Sequence, residues 1–316
     1  MKKKIRVGII GRTEALYHSA KLIANDPNFE IAHVITSKEA PEYTKKVSDF
    51  EEFAKNYNVP FINSPRIKEN HESIIKSSKP DIGISMNYTS IIDSSVINIY
   101  KMGILNAHGG DLPKYRGNAC QAWAILNGEK KIGLCVHKMI GGELDSGDII
   151  TRTYYDIDLN TKITQVMAWI LLNTSQLFYK ALMKLSNDPS YILEKQSTDI
   201  NKISRCYPLN PSDGHIKWSK SNYEVLRMIN AHNKPYSGAF SFVKDKKIII
   251  WDAELSFYSH SIYAVPGQIT KIKRAGETPY VEVACGDGIL KIKKIEVDNK
   301  IISPHKYLNS IRNRFV

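Results

Sequence analysis

The chain lacks most of the features that would assign it at once. Its 316 residues hold four cysteines, Cys120, Cys135, Cys206 and Cys285, and none are spaced as Cys-x-x-Cys. No zinc or redox signature is therefore visible, and reduced thiols with a packing role are expected. No apolar run approaches the ~20 residues of a membrane-spanning helix, so no membrane partner is expected. The opening residues Met1-Lys2-Lys3-Lys4 run straight into a short β-rich stretch, without the apolar region and cleavage site of a secretory signal. A cytoplasmic protein is the expectation. Gly11-Arg12-Thr13-Glu14-Ala15, after the first apolar run, lacks the three-glycine dinucleotide fingerprint, and no P-loop follows any other run. NAD and FAD are disfavoured. His18, His33, His71, His215, His232, His260 and His305 are scattered without His-x-x-x-His spacing, so no metal is expected. Internal repeats and low-complexity tracts are absent.

Hydrophobic residues at 42% and charged residues at 24% are ordinary for a soluble globular protein, and the length suits two domains. Strands are expected over 5–10, 30–35, 59–62, 81–86 and 102–106, alternating with helices over 16–24, 49–57 and 71–78. That alternation argues for an α/β fold with a Rossmann-like, doubly wound, mostly parallel sheet, whose ligands sit outside the carboxyl ends of the strands. A helix over 118–126 capped by Asn118, antiparallel strands over 133–139 and 148–155, and a long helix over 161–185 complete a first domain, residues 1–200. Character then changes. A turn-rich junction, Pro208-Leu209-Asn210-Pro211-Ser212-Asp213-Gly214, leads to a short helix and to β runs over 239–243, 247–251, 267–273, 280–285 and 289–297. Residues 201–316 are read as a smaller β-rich, OB-like barrel domain.

Net charge is +12 and unevenly spread: residues 201–316 hold 19 Lys and Arg against 10 Asp and Glu. The excess suits a polyanion, either nucleic acid or nucleotide phosphate, and equally a solvated Lys surface.

The chemistry concentrates in Leu105-Asn106-Ala107-His108-Gly109-Gly110-Asp111-Leu112-Pro113 and in Leu144-Asp145-Ser146-Gly147-Asp148. Strand residues i and i+2 share a face, so Asn106 and His108 can point into one pocket at a strand's carboxyl end. Asp145 is delivered from a Gly-flanked turn. An amide donor, an imidazole and a carboxylate are the parts needed to hold an acyl carbonyl and move protons around it. Asp-Ser-Gly is also a good turn former in its own right. Arg116, in the polar loop Tyr115-Arg116-Gly117-Asn118, can clamp a phosphate or carboxylate, or pair with Asp111. Alternation makes His137 a packing residue rather than a ligand.

These residues resemble the folate-dependent formyltransferase family. The matching pieces are Asn106-Ala107-His108, Leu112-Pro113-Lys114-Tyr115-Arg116-Gly117, Ala122-Trp123-Ala124-Ile125, Gly133 and Leu144-Asp145-Ser146-Gly147-Asp148-Ile149. Pro211-Ser212-Asp213-Gly214-His215-Ile216-Lys217-Trp218 and Pro235-Tyr236-Ser237-Gly238-Ala239-Phe240 look like the C-terminal half of methionyl-tRNA and amino-sugar formyltransferases. The resemblance implies 10-formyltetrahydrofolate as donor, a primary amine as acceptor, and Asn106, His108 and Asp145 as the catalytic trio. By the same analogy the pteridine lies near 86–92 and 139–144, with Met86, Tyr88, Ile91, Leu105, Met139, Gly142 and Leu144 as contacts. Arg12, Tyr115, Arg116 and Gly117 are the implied sugar or pyrophosphate contacts.

Relatives acting on initiator tRNA carry a longer, basic, Gly-containing insertion where this chain has the short, mixed-sign segment 36–46. They also tend to have two alanines and a proline where this chain has Asn118-Ala119-Cys120-Gln121-Ala122-Trp123, closer to the sugar-modifying branch. The expected acceptor is a UDP- or dTDP-linked amino sugar for surface glycan synthesis, with a 4-amino deoxyhexose favoured by family frequency. Methionyl-tRNA formyltransferase is the main alternative, and only under it is nucleic acid a partner. Glycinamide ribonucleotide formyltransferase fits less well, since Gly11-Arg12-Thr13 departs from its Gly-Ser-Asn loop. A formyl-tetrahydrofolate hydrolase and a non-catalytic binding module stay open. The β-rich part is expected either to pair two subunits as a homodimer or to cover the cleft.

Overall fold

The computed structural model describes residues 3–257 and 261–316; Met1, Lys2, Tyr258, Ser259 and His260 lie outside the described residues. The chain divides into two compact units, one of residues 1–120, 132–155 and 167–206, the other of residues 121–131, 156–166 and 207–316. The units are not continuous in sequence: segments 121–131 and 156–166 group with the second unit, and the first unit runs on to residue 206.

The first unit is built on strands β1 (Ile5–Gly11), β2 (Phe29–Thr36), β3 (Phe61–Asn63), β4 (Ile82–Met86), β5 (Ile104–His108), the two-residue β6 (Arg116–Gly117), β7 (Lys131–Lys138) and β8 (Ile149–Asp156). Seven of them form one sheet in the order β3-β2-β1-β4-β5-β7-β8, and β6 pairs apart with β9 (Arg205–Cys206). Strands β1 to β5 run parallel and β7 turns antiparallel against β5. Val7, Ile9, Ile10, Ile82 and Ile84 are fully buried, as continuous apolar runs must be when helices cover both faces of a parallel sheet. The expected doubly wound fold is present. Helices α1 (Glu14–Ala24), α2 (Val47–Asn56) and α3 (Glu69–Ser77) link successive strands, followed by a short α4 (Ser94–Ile97) that the sequence did not announce; of the next two helices, α5 (Cys120–Leu126) groups beyond its first residue with the second unit and α6 (Ile163–Asn187) belongs to the first from Met167 on. Helix α5 starts two residues later than Asn118 suggests. The Asn118 amide donates to the Cys206 carbonyl and Ala119 sits at φ 51, so the helical run cannot begin before Cys120.

One polar group is sealed into this sheet. His33 on β2 lies opposite Gly8 on β1, and a Cβ at Gly8 would come within 2.5 Å of His33 Nε2. The Ser78 hydroxyl donates to the Ile75 carbonyl, so it accepts from His33 Nδ1 at 2.8 Å. Tyr100 OH then donates to His33 Nε2, also at 2.8 Å. The neutral ring is fully satisfied and a second proton has no place. Burial, aided by the Arg6 charge, lowers its pKa to about 3. As pH falls below about 6.5 the unfolded chain binds a proton that the native ring refuses, so stability decreases. Urea unfolding between pH 6.5 and 4 is expected to show a loss of about 1.4 kcal/mol per pH unit from this residue. The slope should shrink by one proton in His33→Gln, and an unchanged slope would refute the assignment.

In the second unit α7 (Asn222–Ala231) precedes β10 (Ala239–Val243), β11 (Lys246–Ser256), β12 (Ile269–Lys273), β13 (Tyr280–Ala284), β14 (Ile289–Val297) and β15 (Lys300–Ile302). The six strands form an antiparallel sheet, order β10-β11-β14-β13-β12 with β15 on β14. Residues 314–316 bridge its two edges: Val316 exchanges bonds with Phe242, and the Phe315 amide donates to the Gly267 carbonyl. That closure gives the β-rich domain its barrel-like character. Strand β11 continues five residues past the expected stop at 251, because Asp252 and Glu254 alternate outward while Ala253 stays buried. Lys293 of β14 answers both carboxylates at 3.4 and 3.1 Å, so part of the basic surplus is neutralised within the sheet.

Candidate active site

The site is assembled at the carboxyl end of β5. Asn106 pairs in register with His137 of β7, and His108 with Cys135. Both Asn106 and His108 therefore project toward the turn that carries Asp145, whose own φ of 51 is one that Asp tolerates. Asp145 Oδ1 lies 3.4 Å from Asn106 Nδ2 and 3.4 Å from His137 Nε2. Its Oδ2 lies 3.4 Å from His108 Nδ1 and accepts the Gly117 amide at 2.9 Å. The amide, the imidazole and the carboxylate named from the sequence thus converge.

The carboxylate is 8% exposed. Burial alone would raise its pKa. The His108 and His137 rings and the Gly117 amide overcome that effect and hold it well below the usual carboxylate range. It is ionised at neutral pH. His108 is fixed from the other side: its Nε2 is 2.7 Å from the Tyr115 carbonyl, which can only accept, so Nε2 carries a proton. Gly110 makes that contact physically possible. A Cβ there would come within 2.4 Å of both His108 Nε2 and the Tyr115 oxygen. The Cys120 thiol shares the same carbonyl at 2.9 Å, and all four cysteines are buried and free.

The structure adds one residue that sequence reasoning set aside as packing. His137 is 1% exposed, its Nδ1 faces the Lys138 carbonyl at 2.9 Å, and its Nε2 lies 3.3 Å from Asn106 Nδ2. It is both packed and part of the constellation, a dual role that alternation within β7 cannot reveal. The structure also decides the pairing of Arg116. Its Nη2 donates to Gln196 Oε1 at 2.9 Å, while Asp111 pairs with Arg152 at 3.2 Å, so no Arg116–Asp111 pair forms.

Residues 3–182 match the family described as formyl transferase, and residues 208–312 match the formyl transferase C-terminal domain. The chain belongs to the formyl transferase family. The resemblance to folate-dependent formyltransferases read from the motifs is thereby borne out. Methionyl-tRNA formyltransferase of Sulfurihydrogenibium sp. is 30% identical over 279 residues, 87% of this chain and 86% of that protein. Bifunctional polymyxin resistance protein ArnA of Wigglesworthia glossinidia brevipalpis is 35% identical over 195 residues, 60% of this chain; the match spans only 28% of that longer protein. Among solved structures, WlaRD, a sugar 3N-formyl transferase in the presence of dTDP and 5-N-formyl-THF, has TM-score 0.65 and 21% identity over 94% of this chain and 99% of that one. HypX from Aquifex aeolicus has TM-score 0.60 and 16% identity; it covers 98% of this chain, which spans 49% of HypX. The structural likenesses show the shared fold.

Within this formyl transferase chain the other expected contact residues divide. Arg12, after β1, donates from Nε to the Asn87 carbonyl at 3.0 Å and from Nη1 to the Lys38 carbonyl at 2.7 Å, with its guanidinium 5.6 Å from the Tyr43 ring. Gly117 offers its amide to Asp145. Tyr115 is buried, and its carbonyl meets His108. Of the residues assigned to the pteridine, Leu105 is fully buried and paired on both edges, with Ile84 and Lys138. Met86 is buried, and Tyr88 donates its hydroxyl to the Ser64 carbonyl at 2.8 Å. Ile91 is 52% exposed. Met139 and Leu144 are half-buried, and Gly142, at φ 78, borders open space. Ser90 Oγ, Arg116 Nε and Ser146 Oγ are buried without a hydrogen-bond partner. Among the described residues no group of three or more His, Cys, Asp or Glu could hold a metal ion, and no helix is long and apolar enough to cross a membrane.

Proposed function

We propose that the protein is an N-formyltransferase that moves the formyl group of 10-formyltetrahydrofolate to the primary amine of a nucleotide-linked amino sugar. The observation that carries the reaction class is the convergence of Asn106, His108 and Asp145 around one buried carboxylate. A neutral amine attacks the formyl carbon, and the carbonyl oxygen becomes a tetrahedral oxyanion. Asn106 donates an N–H to that oxygen. With Nε2 protonated, His108 takes the amine proton at Nδ1, and the adjacent Asp145 carboxylate stabilises the imidazolium. The proton then passes to the departing folate nitrogen as the C–N bond breaks. The unpartnered hydroxyls of Ser90, in the first segment assigned to the pteridine, and of Ser146, next to Asp145, suit a ligand with several hydrogen-bonding edges.

A UDP- or dTDP-linked sugar, with the amine at position 4 of a deoxyhexose, is the acceptor this reading favours. Its support is local. Arg12, Tyr43 and Asn87 form a compact polar cluster at the carboxyl ends of β1 and β4, where strand order reverses. Arg116 brings a buried, unpartnered Nε to the edge of the catalytic group. The WlaRD structure, a sugar 3N-formyl transferase with dTDP, shares the fold. One observation favours a second reading, methionyl-tRNA as acceptor: the 30% identity that covers 87% of this chain.

Mass spectrometry after incubation with 10-formyltetrahydrofolate and a panel of UDP- and dTDP-amino sugars, with methionyl-tRNA in parallel, separates the two. Gain of one formyl group by a nucleotide sugar is expected. Formylation of methionyl-tRNA alone, with activity that collapses as salt is raised, would reverse the choice of acceptor. Formate released with no amine present would point to hydrolysis instead.

A further inference from the structure

Gln196 belongs to no motif, yet it makes four hydrogen bonds at the edge of the site. It lies 51 positions beyond Asp145 and is 9% exposed. Its backbone amide donates to Asp148 Oδ1 at 3.2 Å. Its side-chain Nε2 donates to the carbonyls of Asp145 and Gly147, at 2.9 and 2.6 Å. Its Oε1 accepts Arg116 Nη2 at 2.9 Å. One planar amide therefore closes the Asp145 turn with its nitrogen and aims the Arg116 guanidinium with its oxygen. The residue after Arg116 is Gly117, whose amide donates to Asp145 Oδ2, so both routes from Gln196 end on the same carboxylate.

We propose that Gln196 is a positioning residue that couples an acceptor-anion contact at Arg116 to the orientation of the Asp145 carboxylate. The proposal rests on the transfer reaction above and deepens it. Arg116 keeps one buried donor, Nε, without a partner, and a buried cationic N–H in that state is suited to an anionic oxygen such as that of a nucleotide diphosphate. When the anion draws on Arg116, the pull reaches the Asp145 turn through the Gln196 amide, so an acceptor of the right length sets the carboxylate while a truncated amine does not. Neither a neutral aliphatic side chain nor a carboxylate can do both jobs. Glutamate keeps the acceptor for Arg116 but sets a carboxylate oxygen against two carbonyl oxygens. Methionine keeps the volume and drops all three side-chain bonds while the backbone bond to Asp148 stays.

The two halves of the amide can be read separately in steady-state kinetics of the intact protein. Gln196→Glu is expected to lower kcat by about 10- to 100-fold, from misplacement of Asp145, with acceptor KM within about threefold of wild type. Gln196→Met is expected to lower kcat and raise acceptor KM together, by about tenfold each. Circular dichroism normalises both to folded protein. A third readout needs no turnover: the Gly117 amide resonance, which reports the bond to Asp145 Oδ2, should move in both variants and stay in place in a control such as Lys294→Gln on the β-rich sheet. Wild-type kcat in Q196E, or an unmoved Gly117 resonance in both variants, would overturn the proposal. A wild-type protein that formylates no acceptor would instead count against the transfer reading, and the Gly117 resonance would still decide the role of Gln196.

Discussion

Replacing His108 by alanine is expected to lower kcat by about 10²–10⁴-fold, the usual range for loss of a positioned general acid–base group. Asp145→Asn should cost a similar factor despite its matching shape. The Asp145 carboxylate accepts on both oxygens, from Gly117 at one and from Asn106 at the other. An asparagine offers one acceptor and one NH₂, so one side of the network meets donor against donor. It also removes the negative charge beside His108 Nδ1, and with it the stabilisation of the imidazolium. The two substitutions should not add. Each disables the same proton transfer, so the double variant is expected to fall little below the worse single one. Stopped-flow or steady-state assays at saturating donor and acceptor measure this directly. Retention of most of kcat by either variant would remove that residue from the chemistry. Fold should survive in both cases, since neither residue belongs to the apolar clusters that hold the sheet.

What could be read in advance follows from how locally each feature is encoded. The parallel strands β1, β2 and β4 are legible because burial on both faces leaves near-continuous apolar runs. Asn106 and His108 are legible because a period of two within one strand fixes their common face. Asp145 needed the family pattern, since an Asp-Ser-Gly turn by itself looks like any turn. His137 was missed because its role depends on the antiparallel register of β5 and β7, 31 residues apart. The only local sign was a histidine in a buried strand, which also describes His33, a residue with no link to the site. Gln196 follows the long helix in irregular chain, where neither periodicity nor turn chemistry assigns a direction to the side chain. The start of α5 was misplaced for a related reason. Asn118 has the composition of a cap, but its amide is taken by Cys206, a partner 88 residues away that no local rule supplies.

Asn106→Ala is expected to lower kcat by about 10²–10³-fold, the loss typical of one oxyanion donor, while donor and acceptor KM change little. The asymmetry follows from when the bond matters. The formyl oxygen carries little charge in the bound donor and a full negative charge in the tetrahedral intermediate, so a donor aimed at it stabilises mainly the latter. The amide has two N–H groups. One lies within reach of Asp145 Oδ1 and His137 Nε2, which sets the rotamer, and the other is left for the substrate. Asn106→Asp tests the same point more severely. It keeps the shape, removes both N–H groups and places a second carboxylate 3.4 Å from Asp145, where two negative charges in a buried setting repel. Its kcat should fall at least as far as that of the alanine variant, and lowering the pH should recover part of the difference as one carboxyl takes up a proton. A rise in KM at unchanged kcat in Asn106→Ala would mean that the amide holds the ground state, and the oxyanion would need another donor, for which the protonated His108 ring is the nearest candidate.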